Sequence, residues 1–206
     1  MKFLLTLMLA LTVSACQVDK PVIGDSSTYL SIGASADSES GHCTAVHIGN
    51  GNYITAAHCI PPSTSSLKNW IGDWEMQVFW VNREYDVAFL TMPVWDDEGD
   101  FIAAPAAYST LDCNGPKVGD EVISVGNPLD LRDFTSYGYI GRGEGRVAHW
   151  KNVVVGNIAI APGNSGGPIY NTLGRVVGIS VGGFSPFANV AIIVPSNTIC
   201  ALMGKV

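Results

Sequence analysis

From residue 43 onward the chain is a succession of short apolar or alternating runs. They cover Cys43–Ile48, Asn52–Thr55, Met76–Val81, Val87–Met92, Glu121–Val125, Val153–Ile160, Val176–Val181 and Val190–Val194. Side chains that alternate with a period of two share one face of a strand, so each run predicts a β-strand with one face, or both, buried. Gly49-Asn50-Gly51-Asn52 joins the first two runs and predicts a tight hairpin, because Asn-Gly supplies the left-handed backbone such turns need. No stretch keeps a helical period for long, and the 23 glycines fall mostly between the runs. The pattern predicts an all-β barrel or sandwich. Asp37–Gly41 is polar and turn-like. There is no internal repeat and no low-complexity tract.

Residues 1–15 change the picture at the N-terminus. Lys2 supplies a charged start, Phe3–Val13 an apolar region and small residues a cleavage site, the pattern of an export signal. The apolar region is too short for a membrane-spanning helix, which needs ~20 residues. Val13-Ser14-Ala15-Cys16 resembles the lipobox of bacterial lipoproteins, which implies lipidation of Cys16 and a membrane anchor. The alternative is an ordinary secretory signal with Cys16 left as a thiol. Residues 16–28 then form a tether, with Pro21 and Gly24 inside it, and residues 29–206 form one domain. The formal charge of −7 becomes −8 without Lys2, and no basic run exists, so no nucleic-acid partner is expected and any membrane attachment rests on lipid. Setting Cys16 aside leaves Cys43, Cys59, Cys113 and Cys200, an even number in an exported chain; two disulfides are expected, with three connectivities open.

Candidate chemistry centres on Gly163-Asn164-Ser165-Gly166-Gly167-Pro168. A serine hydroxyl is a weak nucleophile until a base takes its proton and donors hold the oxyanion that forms. The glycines allow a tight turn that presents the amides of Gly163 and Ser165 as an oxyanion hole. His58, in Thr55-Ala56-Ala57-His58-Cys59, follows a strand and is the candidate base. Asp86 heads the apolar run Val87–Leu90 and is the candidate acid that orients it.

The order His58, Asp86, Ser165 and the three local motifs resemble the chymotrypsin-like (trypsin-like) serine proteases, and most nearly the bacterial high-temperature-requirement proteases. Gly126-Asn127-Pro128, Thr135-Ser136-Tyr137-Gly138 and Val194-Pro195-Ser196-Asn197-Thr198 add to the likeness, which covers about residues 40–200. The resemblance implies two six-stranded antiparallel β-barrels with the active site between them and the crossover from one to the other near Pro105–Lys117, and an endopeptidase acting on polypeptide substrates without a cofactor. It also implies a Cys43–Cys59 disulfide across the histidine loop and, with it, Cys113–Cys200. It places the specificity pocket between Ala159-Ile160-Ala161 and Ser180-Val181-Gly182, with Ala159 at the floor. An apolar floor cannot compensate a buried lysine or arginine, so cleavage after Val, Ala, Ile or Leu is expected. Substrate would pair as an added strand along Ser180–Gly182.

Asn164 stands where the digestive enzymes carry an aspartate that pairs with a new N-terminus, so activation by that route is not expected. The larger bacterial members carry PDZ domains after the protease domain; with the sequence ending at Val206, none is expected here. A zinc set from Cys43, His47, His58 and Cys59 is disfavoured, since adjacent His58 and Cys59 cannot readily face one ion, and no metal is expected. His42, His47 and His149 read as surface or strand residues, Trp70, Trp74 and Trp80 as packing. Asp96-Asp97-Glu98 with Asp100 reads as a solvated acidic turn, and Gly141-Arg142-Gly143-Glu144-Gly145 as a loop beside the cleft. The competing class is a catalytically silent, lipid-anchored binding module on the same scaffold. Intact Ser165, His58 and Asp86 argue against it.

Overall fold

The computed structural model describes residues 27–32, 41–62, 69–72, 74–93, 95, 99–100, 103–105, 107–184 and 187–205. The signal sequence, Cys16 and Asp96–Glu98 lie outside these residues. Among the described residues thirteen strands and one α-helix follow in order: β1 (Ser27–Ile32), β2 (Gly41–Gly49), β3 (Asn52–Thr55), β4 (Asn69–Ile71), β5 (Trp74–Glu75), β6 (Gln77–Asn82) and β7 (Val87–Thr91) come first. The second half holds β8 (Glu121–Gly126), β9 (Phe134–Val147), β10 (Trp150–Asn157), β11 (Pro168–Asn171), β12 (Val176–Phe184), β13 (Phe187–Pro195) and α1 (Ser196–Met203).

The second half closes into a six-stranded barrel in the order β10-β13-β12-β11-β8-β9. The first half is a seven-stranded sheet in the order β5-β4-β1-β2-β3-β7-β6, so of the two barrels implied by the sequence one is seen closed. The edge strands β5 and β6 are parted along the chain by Met76 alone, and the sheet must curl for one continuous segment to pair with both β4 and β7.

Local chemistry accounts for the strands. The β2–β3 hairpin turns at Asn50 and Gly51, both at positive φ (53° and 71°), as the Asn-Gly signal requires. Every apolar run expected to be a strand lies wholly or largely in one, with ends shifted by up to three residues. Five strands were not anticipated: β1, β4, β5, β9 and β11. β1 begins at Ser27, two residues before the expected domain start. The Gly141–Gly145 segment is a correction, since it lies inside β9 and is paired with β10, not looped out. Its glycines hide the alternation, and in the same strand Gly138 shows why such residues fit: a Cβ there would run into the Asn157 carbonyl.

One core joins the halves. Tyr53, Ile54, Val87 and Leu90 of the first half belong to the same buried cluster as Val125, Tyr170, Ile179 and Val181 of the second. Ile140, Val154, Ile169 and Ile193 fill the barrel separately. Disulfides join Cys43 to Cys59 and Cys113 to Cys200, the connectivity implied by the resemblance. The first lies within the N-terminal half and the second ties the crossover segment to α1.

Candidate active site

His58 sits in a 3-10 turn, Ala57–Cys59, entered directly from β3. Ala56 and Ala57 are fully buried, so the turn has no freedom to swing out, while the His58 side chain is 46% exposed. The Cys43–Cys59 disulfide ties the turn to β2. Arg83 donates from Nη1 to the Ala57 carbonyl (2.9 Å) and from Nη2 to the Ile60 carbonyl (2.8 Å), bracing the same turn from the β6–β7 side.

Asp86 ends the β6–β7 turn with φ of 57°, a left-handed conformation that aspartate tolerates better than bulky residues do. Asn82 Oδ1 accepts from the Glu84 and Tyr85 amides and fixes that turn. The Asp86 carboxylate accepts three hydrogen bonds: Oδ1 from the His58 backbone N–H (2.8 Å), Oδ2 from His58 Nδ1 (2.8 Å) and from Trp150 Nε1 (3.1 Å). A carboxylate only accepts, so Nδ1 carries the proton and Nε2 of the neutral ring keeps its lone pair for another group. Burial is the largest influence on this carboxyl and alone would raise its pKa. The His58 side-chain hydrogen bond, the attraction to that ring, the Trp150 donor and the His58 amide outweigh burial and hold Asp86 below its ordinary value.

Ser165 lies in a loop clamped by both halves. Its carbonyl accepts from the Thr44 amide (2.8 Å) and lies 3.8 Å from Cys59 Sγ, next to His58. A Cβ on Gly166 would collide with Thr55 and the Thr44 carbonyl, so only glycine lets the loop sit this close to β2 and β3. Ala161-Pro162-Gly163-Asn164 is a type II turn: Asn164 N–H donates to the Ala161 carbonyl (3.0 Å), proline occupies the second position and Gly163 has φ of 101°. The Pro162 carbonyl accepts from the Leu129 amide, and the Asn164 carbonyl from Gly167 N–H and Ser180 Oγ. In a trans peptide the N–H points opposite to the carbonyl, so the Gly163 and Ser165 amides face away from those partners.

Ser180, Val181 and Gly182 lie beside this loop. Ser180 exchanges backbone hydrogen bonds with Gly166 (2.7 Å) and Gly167 (2.9 Å), and the ladder to β13 shifts register between Ser180 and Gly182. Ala159 is anchored through its carbonyl by Ser136 Oγ (2.7 Å). Ile160 reaches the same strand, 3.5 Å from where a Cβ on Gly183 would lie. No carboxylate occurs in Ala159–Ala161 or Ser180–Gly182.

Several residues escaped the sequence reading. Thr44 is fully buried, and its hydroxyl donates to the Gly163 carbonyl (2.8 Å) while accepting from the Asn127 backbone (3.1 Å) and side-chain (3.1 Å) N–H groups. The His42 ring packs behind Gly163, where a Cβ would strike its Nε2. Trp150 touches the acid itself. His47 is a strand residue as expected, but a buried one, with Nδ1 donating to the Ala107 carbonyl (2.6 Å) and Nε2 accepting from Gly51 N–H (3.2 Å). His149 is exposed on the β9–β10 turn, its ring tilted against that of Trp150. The sulfurs of Cys43 and Cys59 lie near His58, but both are consumed in the disulfide and are not thiolate ligands.

The closed barrel beside a curled sheet is a trypsin-like fold. The chain belongs to the trypsin-like peptidase domain family, whose pattern matches residues 43–179. It is 36% identical over 86 residues to a DegP-like periplasmic serine endoprotease of Chlamydia pneumoniae, a match spanning 39% of this chain and 18% of that protein. Over 95 residues it is 40% identical to the magnetosome formation protease MamE of Paramagnetospirillum magneticum, spanning 42% of this chain and 13% of the relative. The matched segments are thus less than a fifth of those proteins. In fold it is similar to the HtrA-type protease AlgW, solved with a decapeptide, with TM-score 0.71 and 19% identity over 89% of this chain and 64% of that one. A serine endoprotease from Yersinia pestis gives 0.68 and 22%, over 86% of this chain and 62% of that one.

Proposed function

We propose that the protein is an exported serine endopeptidase in which Ser165 attacks the scissile carbonyl, His58 is the base and Asp86 orients it. The observation that carries this reading is the Asp86 carboxylate, which accepts from the His58 backbone N–H and from Nδ1 and so leaves Nε2 as an acceptor. In attack, Nε2 takes the Ser165 hydroxyl proton as Oγ bonds to carbon. The resulting oxyanion lies against the Gly163 and Ser165 amides, whose outward direction supports that role. Imidazolium then protonates the leaving amine, the acyl-enzyme forms, and water repeats the sequence with His58 again as base.

The apolar Ala159 and Ile160 and the absence of an acid in the two flanking segments support cleavage after small or aliphatic residues. We also read β5 and β6 as one strand bent at Met76, which would close the first half into a second six-stranded barrel. Lipidation at Cys16 would hold the enzyme at the envelope; mass spectrometry of the mature N-terminus tests this, and an unmodified Cys16 rejects it.

A fluorophosphonate probe tests the chemistry. Stoichiometric labelling of the wild type, lost in Ser165→Ala, is expected. A folded wild type that stays unlabelled would favour the silent binding module. Profiling on a peptide library tests the pocket, and a preference for Lys or Arg at the cleaved position would overturn the apolar floor.

A further inference from the structure

Asp86 receives two of its three hydrogen bonds from His58, the residue it is meant to steer. The third comes from the other half of the molecule. Trp150, at the start of β10, donates from Nε1 to Oδ2 at 3.1 Å. The tryptophan is held in place from several sides. Its backbone pairs with Val147 across a turn whose Ala148 has φ of 50°, and the His149 ring lies tilted against its own, centroids 3.8 Å apart. Lys151 beside it binds Glu84, two residues before Asp86, at 2.5 Å. The far edge of the indole lies against Gly182, where a Cβ would come within 2.9 Å of Cη2 and Cζ2. Glycine at 182 is thus what leaves room for the ring.

We infer that Trp150 is a positioning residue for the peptidase reaction, its indole N–H fixing the Asp86 carboxylate from the C-terminal barrel while its ring backs the Gly182 strand. This rests on the peptidase reading above. A donor independent of His58 keeps the carboxylate plane fixed while the imidazole gains and loses its second proton. It also lowers the basicity of Oδ2, so that the proton between Asp86 and His58 stays on nitrogen. Hydrogen bonds to ionised groups are the stronger class, and one fewer in a reaction that depends on orientation lowers turnover, here by about tenfold. The charged and titratable groups around the contact are His58, Glu84, Lys151, Arg83, Arg146 and His149. None of them is altered in the variants below.

The test compares the wild type with Trp150→Phe and with benzothienylalanine at position 150, which keeps the indole shape but has no N–H. On a fluorescent peptide substrate, kcat should fall by about tenfold with KM nearly unchanged. The acid limb of the kcat/KM profile should move to higher pH, because a more basic Asp86 holds the proton on His58 more firmly. Loss of packing alone would not move that limb, and the isostere decides if the phenylalanine variant unfolds. Wild-type kcat and an unmoved limb in the isostere would overturn the inference. Independently of activity, the Trp150 indole N–H resonance should shift in Asp86→Asn protein. An unmoved resonance rejects the contact, whereas a wild type inert to fluorophosphonate rejects the peptidase reading and leaves the resonance to judge Trp150.

Discussion

Asp86 is a buried acid that stays ionised because three donors converge on it, and several outcomes turn on that fact. Ser165→Ala should leave the fold intact and lower turnover by on the order of 10⁶, and Asp86→Asn by about 10⁴ through the wrong histidine tautomer. Steady-state kinetics on purified variants check both. The same carboxyl sets a pH dependence. Its folded pKa is depressed, so the stability it adds is fully present above the unfolded value of ~3.9 and disappears as pH falls through the lower folded value. Acid unfolding should therefore steepen below about pH 4 in the wild type more than in Asp86→Asn, and equal curves would remove Asp86 as the cause. His58, Asp86 and Ser165 could be proposed from the sequence because each sits in a local motif whose chemistry suggests it, and the structure shows His58 and Asp86 in contact. Trp150 carries no such motif. Its contact with Asp86 exists only because a hairpin of one half lies over a turn of the other, which spacing along the chain does not reveal.

At the scale of elements, the type II turn at Ala161–Asn164 and the disulfide-bound histidine turn carry the precision of the site. Gly163→Ala places a Cβ against His42 and the Asn127 carbonyl at a backbone angle alanine resists. It should lower kcat by about 10²–10³, the loss seen when an oxyanion donor is withdrawn. A rise of that size in KM with kcat unchanged would show that the turn serves substrate affinity instead. Replacing Cys43 and Cys59 by alanine opens a loop of sequence separation 16 and should lower stability by about 2–5 kcal/mol, read from denaturant midpoints, and release the His58 turn. Strands with alternating apolar residues were readable. β9 was not, because glycines interrupt its pattern and what makes it a strand is pairing on both sides, with β8 and with β10. β1 was hidden by its polar residues, and α1 by its short length, since eight residues hold little more than two turns of periodicity.

At the scale of the whole molecule, the two halves meet through a shared apolar cluster, the Thr44 hydroxyl and the Trp150–Asp86 and Lys151–Glu84 contacts. The first disulfide, however, stays within the N-terminal half at residues 43–59, and the second joins Cys113, late in the crossover, to Cys200 of the C-terminal half. No covalent bond other than the backbone itself therefore joins the half bearing His58 and Asp86 to the half bearing Ser165. The chain between them is exposed at Ala103–Pro105 and at Ala107 and Tyr108, where an added protease can nick it. A single nick there would leave two fragments that separate on a gel even without reductant. What activity the nicked protein keeps before denaturation would measure how firmly the halves hold each other without a chemical link.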